Sequence, residues 1–341
     1  MLMVVFGAGA SYDSDPDRPA YAVSTYSRPP LARSLFAPQY GGVIDQYPAC
    51  RALVPRLRRA AHDDTVAIEQ EFQAILTEAA NRRETIRQLA ATRYYIRAMI
   101  EGVTLGWMNE THGVTNYHVL VDRLDTWAQL SGEAIVYVTF NYDTLLDTAL
   151  EDALRFRCTD MSHYVSNERI RLIKLHGSTN WRRLAQNPAE IVAVGTNVGN
   201  WAIDRYADLQ LITDYEVASP LSSERNHHVT VPAIAIPTET KGEADFELPP
   251  EHIEVLKGLI PHITRVIVVG WRGKEAHFTS LWRQARGNAS SPDIAIIDAT
   301  PEHAREVGWS LVEAKMTTRE PHAMPWRGFT EYMRESDWST P

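Results

Sequence analysis

The run Leu2–Phe6, five apolar residues leading straight into Gly7-Ala8-Gly9-Ala10-Ser11, constrains this chain more than any other feature. A short apolar stretch that stops at paired glycines reads as a buried strand entering a tight turn. Strand patterns recur at Ala134–Phe140, Ile170–Leu175, Val231–Ile236, Arg265–Gly270 and Asp293–Asp298. Helical patterns follow most of them, at Asp143–Leu154, Pro250–Ile260, Glu275–Arg286 and Pro301–Val307. Strands apolar on both faces that alternate with helices predict an α/β fold, a Rossmann-like doubly wound and mainly parallel sheet covered on both sides.

The chain of 341 residues, 44% hydrophobic, can bury one sizeable core plus insertions. Between the first two strands the composition shifts towards Ala, Arg, Glu, Gln and Leu. Phe72, Ile75, Leu76 and Ala79 recur at helical spacing, as do Ile96, Met99, Ile100 and Val103, then Val119, Leu120, Leu124 and Trp127. This divides the chain into a core of residues 1–40 and 131–341 and a large helical insertion, 41–130. The stretch 187–226 is rich in Gly, Asn and Asp with weak periodicity, and reads as a second insertion or lid. Asp13-Ser14-Asp15-Pro16-Asp17 alternates aspartates like a calcium loop. It lacks the central glycine and distal glutamate, and reads as a solvated loop.

Composition excludes several classes of function. A net charge of −9 disfavours direct nucleic-acid binding, whose phosphate contacts need clustered Lys and Arg. No apolar run approaches the roughly 20 residues that span a bilayer, so no membrane association is expected. Met1–Phe6 is too short, and lacks the positive flank, to be a secretory signal. Cys50 and Cys158 cannot form a disulfide framework or a four-cysteine zinc site. The expectation is a cytoplasmic protein.

Four or five polar or glycine-rich turns fall at the carboxyl ends of these strands, the edge where open parallel sheets bind ligands. Gly7 and Gly9 let backbone approach a ligand closely, Ser11 can cap a helix, and a helix start presents free N–H groups to a pyrophosphate. Tyr12 stands where the dinucleotide fingerprint has its third glycine, so the turn alone is a weak motif and reads first as an ordinary strand–turn. Asn141 and Asp143, in Phe140-Asn141-Tyr142-Asp143, either carry chemistry or cap the next helix. His176, in Lys174-Leu175-His176-Gly177-Ser178, is placed for acid–base work near neutral pH. Gly270-Trp271-Arg272-Gly273 and Asp298 end two further strands. His227 and His228 point to opposite faces of a strand and are poorly arranged to chelate one metal. Glu69 and Glu71 read as a solvated helix face, and nothing near Cys158 supplies a paired base.

The ordered set Gly7-Ala8-Gly9-Ala10-Ser11, Phe140-Asn141-Tyr142-Asp143, Lys174-Leu175-His176-Gly177-Ser178 and Gly270-Trp271-Arg272-Gly273 resembles the sirtuin-type NAD-binding fold. It is most similar to the divergent bacterial branch of sirtuin-like NAD hydrolases of antiphage defence. Pro29-Pro30-Leu31-Ala32-Arg33-Ser34-Leu35-Phe36 is similar to the segment that follows the first loop in that branch.

The resemblance implies that Gly7, Ala8, Gly9 and Ser11 hold the NAD pyrophosphate. It implies catalytic roles for Asn141 and His176, with Asp143 as acidic partner of Asn141. Ser178 falls in the cofactor-side turn after His176, Gly270 and Trp271 border the adenosine end, and Asp298 ends the adenine-side strand. Trp271-Arg272 departs from the Thr-Ser of sirtuins and the Tyr-Ser common in the defence branch. The paired cysteines of the deacylase zinc module are absent, so the implied chemistry acts on NAD itself, with no metal. The implied activity is an NADase releasing nicotinamide and ADP-ribose, with a non-catalytic NAD or ADP-ribose sensor and an ADP-ribosyltransferase as alternatives. The implied partners are further copies of the chain, or a separate sensor such as a nucleic-acid-handling ATPase or a short Argonaute-like protein.

Overall fold

The computed structural model describes residues 1–22, 27–62, 67–80, 82–186, 198–217, 224–225, 228–237 and 246–336. Ten strands lie within these: β1 (Leu2–Phe6), β2 (Ile135–Thr139), β3 (Ile170–Lys174), β4 (Gly177–Gln186), β5 (Gln210–Val217), β6 (Glu224–Arg225), β7 (His228–Ile234), β8 (Arg265–Val269), β9 (Asp293–Ile297) and β10 (His322–Ala323). Six form a sheet in the order β10-β9-β8-β1-β2-β3, every neighbouring pair parallel. Every residue of β1 and β2 is buried, as strands covered by helices on both faces require. From β1 the chain steps outward to β2 and β3, then returns to the other flank of β1 and steps outward again through β8, β9 and β10. That is the 3-2-1-4-5-6 winding of dinucleotide-binding sheets, with its switch point between β1 and β8.

Val231–Ile236 does not join this sheet. It lies largely in β7, which pairs antiparallel with β4 and β6, while β5 pairs antiparallel with the far side of β4. The strand β4 carries Arg182 and other polar residues among its buried positions, so its apolar alternation is too broken to read from sequence. Of the suspected lid, 198–217 is a short helix, a 3-10 turn and β5, and 224–225 is β6. Residues 187–197, 218–223 and 226 lie outside the described residues, as does His227.

Two hydrophobic cores result. The larger packs the six-stranded sheet against Leu120, Val121, Leu124, Leu146, Leu150, Leu281 and Leu311 of the covering helices. The smaller joins Leu57, Phe72, Ile75, Tyr95 and Ile96 to Val229, Val231 and Ile234 of the second sheet. Each such fully buried side chain contributes about 1.5–3 kcal/mol of transfer free energy. The helix Arg83–Glu110 bridges the two. Its 28 residues run about 42 Å at 1.5 Å each, with Ile96 in the smaller core and Trp107 in the larger. The helix Asn116–Ser131 begins at a capping box between Thr115 and His118 and ends at left-handed Gly132. It packs on the main sheet, so the last part of the expected insertion is a covering helix of the core.

The aspartate-rich loop is buried over its first three residues, Asp13, Ser14 and Asp15, and solvated only at Asp17. Asp13 accepts from the Ala20 N–H at 2.7 Å and the Thr330 N–H at 3.1 Å, and Asp15 takes the N–H groups of Asp17 and Arg18. The carboxylates thus serve as local acceptors for loop backbone.

The junction between the sheets is Gly177, the first residue of β4, at φ +78°. A Cβ there would stand 2.0 Å from the Ala233 carbonyl oxygen of β7. Gly177→Ala is therefore expected to cost about 3 kcal/mol or more, read as a lowered midpoint in chemical denaturation.

Candidate functional site

The switch point is built by two turns pressed together. The Gly7 N–H donates to the Val269 carbonyl at 3.0 Å and the Gly9 N–H to the Gly270 carbonyl at 3.1 Å. A Cβ on Gly7 would lie 2.5 Å from Gly270 O, and one on Gly270, at φ +60°, would lie 2.3 Å from the Ala10 nitrogen. These glycines thus have a packing reason that is independent of any ligand. Ala8, Gly9 and Gly270 are only partly covered and face the carboxyl edge.

Asn141 lies two residues beyond the end of β2 and reaches back under the first turn. Its Nδ2 donates to the Gly7 carbonyl at 2.9 Å and lies 2.9 Å from Ser11 Oγ and 3.2 Å from the Tyr117 hydroxyl. Ser11 Oγ donates to Asp143 Oδ2 at 2.7 Å and sits 2.9 Å from the Tyr117 hydroxyl. Because the single Ser11 proton goes to the carboxylate, Tyr117 donates to Ser11. Apart from the Asn141 proton given to the Gly7 carbonyl, the donors of the network then lead through Ser11 to Asp143. A carbonyl can only accept, so Gly7 O fixes the amide of Asn141 with its nitrogen inward. No hydrogen bond from a described residue ends on Asn141 Oδ1.

Asp143 is buried, and burial raises its pKa above the ordinary 3.8. The nearby Lys174 charge and the Ser11 and Leu145 hydrogen bonds oppose that rise. Lys174 is completely buried at the end of β3. Its ammonium donates to the Asp143 carbonyl at 2.7 Å and to Asp147 Oδ2 at 2.6 Å. Tyr117 is driven well above its ordinary value, first by burial and then by the Asp143 charge, so it stays a neutral donor.

His176 follows β3 and is 8% exposed. Its ring meets Phe140 edge-on at 5.2 Å, Tyr142 at 6.2 Å and His277 in a stack at 5.6 Å. The residues on both sides of Asn141 thus hold the histidine. Ser178 is buried, and its hydroxyl donates to the Tyr142 carbonyl at 3.3 Å, as the Thr179 N–H does at 2.9 Å. Trp271 is also buried. Its ring stacks on Phe140 at 5.0 Å and its indole N–H is given to Glu275, so it forms a wall beneath the edge. Asp298 is half-buried at the end of β9, with its carboxylate on the Ala299 N–H at 2.6 Å and its pKa raised by burial.

The structure therefore brings Gly7, Ser11, Asn141 and Asp143 into one hydrogen-bonded unit, with Ala8, Gly9 and Gly270 above it and His176 and Ser178 beside it. Asp298 lies outside that unit: its neighbour Ile297 accepts from the Gly270 N–H, and its own carbonyl accepts from the Gly328 N–H at 2.8 Å. Sequence reasoning missed Tyr117, which reads as one more apolar position of a helix, and His277. It also left Lys174 without a role, although it directly precedes the histidine motif. Among the described residues no group of three or more His, Cys, Asp or Glu side chains can hold a metal ion, and no helix is long and apolar enough to cross a membrane.

No protein-family model and no curated protein matches the chain. Among solved structures, one described as "The Structural basis of Sirtuin Substrate Affinity" aligns with 87% of this chain and 81% of its own. The identity is 13% and the TM-score 0.31.

Burial of the Asp143 carboxyl has a signed consequence. With its folded pKa raised, Asp143 contributes stability below 3.8 that is lost as pH rises through the window between 3.8 and its higher folded value. Asp143→Asn removes the cost of burying a charge. Denaturation across that window is expected to show the wild type losing stability relative to the variant, with the variant at least as stable at neutral pH.

Proposed function

We propose that the chain is an NAD hydrolase that cleaves the nicotinamide–ribose bond, with antiphage defence by NAD depletion as its biological setting. The observation that carries this reading is the oriented Asn141 amide, locked by Gly7, Ser11 and Tyr117 at the sheet's switch point and flanked by the two rings that hold His176.

In this reading Gly7, Ala8, Gly9 and Ser11 form the turn that seats the pyrophosphate, and Gly270, Trp271 and Asp298 bound the adenosine end. Ser178 fixes the histidine turn from below. Nicotinamide leaves as the ribose takes on oxocarbenium character, which calls for a preorganised acceptor at the developing positive charge. Asn141 Oδ1 is that acceptor, holding a ribose hydroxyl or the incoming water. His176 takes the proton the water loses, directly or through a ribose hydroxyl. Asp143 keeps the Asn141–Ser11 unit oriented and leaves a negative field beneath the cationic ribose. Water adds to the anomeric carbon, the glycosidic electron pair goes to the nicotinamide nitrogen, and nicotinamide and ADP-ribose result. No step calls for a metal ion.

An unrestrained NADase exhausts its own cell, so the reading includes a dormant state. The helical segment is where further copies of the chain, or a separate sensor such as a nucleic-acid-handling ATPase or a short Argonaute-like protein, would engage.

Purified protein is incubated with NAD, alone and with candidate activators, and nicotinamide, ADP-ribose and cyclic products are resolved chromatographically. Asn141→Ala and His176→Ala are each expected to lower nicotinamide release by about a hundredfold or more. Unchanged NAD consumption in both variants would sink the proposal. Binding without turnover would indicate a sensor, and ADP-ribose retained on protein a transferase.

A further inference from the structure

The helix Pro301–Glu313 buries Ala304, Val307, Gly308 and Leu311 on one side and turns Trp309 outward on the other. Trp309 is 67% exposed, the most exposed aromatic side chain among the described residues, and Val312, three residues on, is 40% exposed. A single exposed apolar side chain is ordinary. The charges around this one give it a direction.

Arg305 and Glu313 are both exposed and stand four residues to either side of Trp309, about 6 Å along the helix axis each way. Arg305 also pairs with Glu302 at 2.6 Å, with both side chains in solvent, while Glu313 has no ion pair among the described residues. A stripe with opposite charges at equal distances from its centre is complementary to itself when turned end over end. Laid antiparallel on a copy of itself, it brings the two indoles together at the axis. Arg305 of each copy then faces Glu313 of the second copy, and Glu306 lies over Val312 of the second copy. Laid parallel, it would set arginine against arginine and glutamate against glutamate, which costs affinity.

We propose that this outer face docks on the same face of a second copy of the chain, antiparallel and centred on Trp309. Tryptophan at the middle with charged residues outside it is the arrangement of an interface anchor and its rim. The helix belongs to the β10 edge of the six-stranded sheet, whereas the chain leaving the opposite edge, β3, enters the second sheet. The contact is thus separate from any made by the helical segment. Val307 and Leu311, on the buried side of the same helix, lie beneath Gly273 in the turn after β8. The docked element is therefore one that supports the carboxyl edge. Its 13 residues span about 20 Å, and two such helices cover less than the roughly 800 Å² per partner of a standard interface. The dimer is accordingly weak and reversible.

The test is sedimentation velocity of the full chain from about 1 to 300 μM, without NAD, so that its result is independent of whether the chain hydrolyses NAD. A monomer–dimer equilibrium is expected, half complete at about 10–100 μM. Trp309→Ala should remain monomeric throughout that range. Arg305→Glu and Glu313→Arg should each weaken association about tenfold. The double variant should recover it, since the reversed charges again face opposite ones. All three side chains are exposed, and an unchanged thermal midpoint verifies that each variant is folded. A monomer at every concentration, a dimer undiminished in Trp309→Ala, or a double variant no tighter than the single ones would overturn the proposal.

Discussion

Everything at the carboxyl edge depends on how closely the turn after β1 can approach the turn after β8. Gly9 and Gly270 are joined backbone to backbone, and a single added Cβ on either Gly7 or Gly270 would come within 2.5 Å of the opposite chain. That separation is below any van der Waals contact, so the cost of a side chain there is a shift of one turn against the other. Because the turns meet over the switch point, such a shift would propagate to Asn141, whose amide is anchored on the Gly7 carbonyl. Glycine is required at these positions for the fold itself, and the geometry of the edge is set by packing alone.

The second constraint is directional. Three neutral side chains, Asn141, Ser11 and Tyr117, pass protons one way, and a buried carboxylate receives them. Were Asp143 neutral and acting as a donor, the Ser11 proton would lose its acceptor and the network its direction. The nearby Lys174 makes ionisation tolerable without contacting the carboxylate, since its ammonium is spent on the Asp143 carbonyl and on Asp147. A direct ion pair would quench the negative field; a neighbouring charge only moderates it.

The parallel sheet was legible because its strands are apolar on both faces and its helices amphipathic, patterns that need no tertiary information. The turn residues were legible because glycine and short polar residues at strand ends have few other uses. The second sheet was not. In β4 the buried Arg182 and Thr179 break the alternation, and β7 reads as one more core strand until its antiparallel partners are known. Tyr117 escaped notice for a related reason: a tyrosine on a covering helix looks like packing, and its hydroxyl matters only once Ser11 and Asn141 are brought to it from 106 and 24 residues away. The buried aspartates of the first loop read as solvated in the sequence, since charge predicts exposure unless backbone N–H groups in need of an acceptor surround it.

The helix Arg83–Glu110 carries these constraints beyond the sheet. Its Arg97 is 4% exposed and donates to the Thr179 carbonyl at 2.6 Å, three residues beyond His176. Further along the same helix Trp107 donates to Ser14 Oγ at 2.9 Å, and Ser14 in turn donates to the Ser11 carbonyl at 2.8 Å. One rigid element therefore grips the histidine turn at one point and the first glycine turn's helix at another. A displacement of the helical body along this axis must either break a buried charge-assisted hydrogen bond, at about 1.5–3 kcal/mol, or carry both turns with it. The smaller core is thereby mechanically coupled to the placement of Asn141 and His176, and Tyr142, which packs on that core and meets the His176 ring at 6.2 Å, adds a second link.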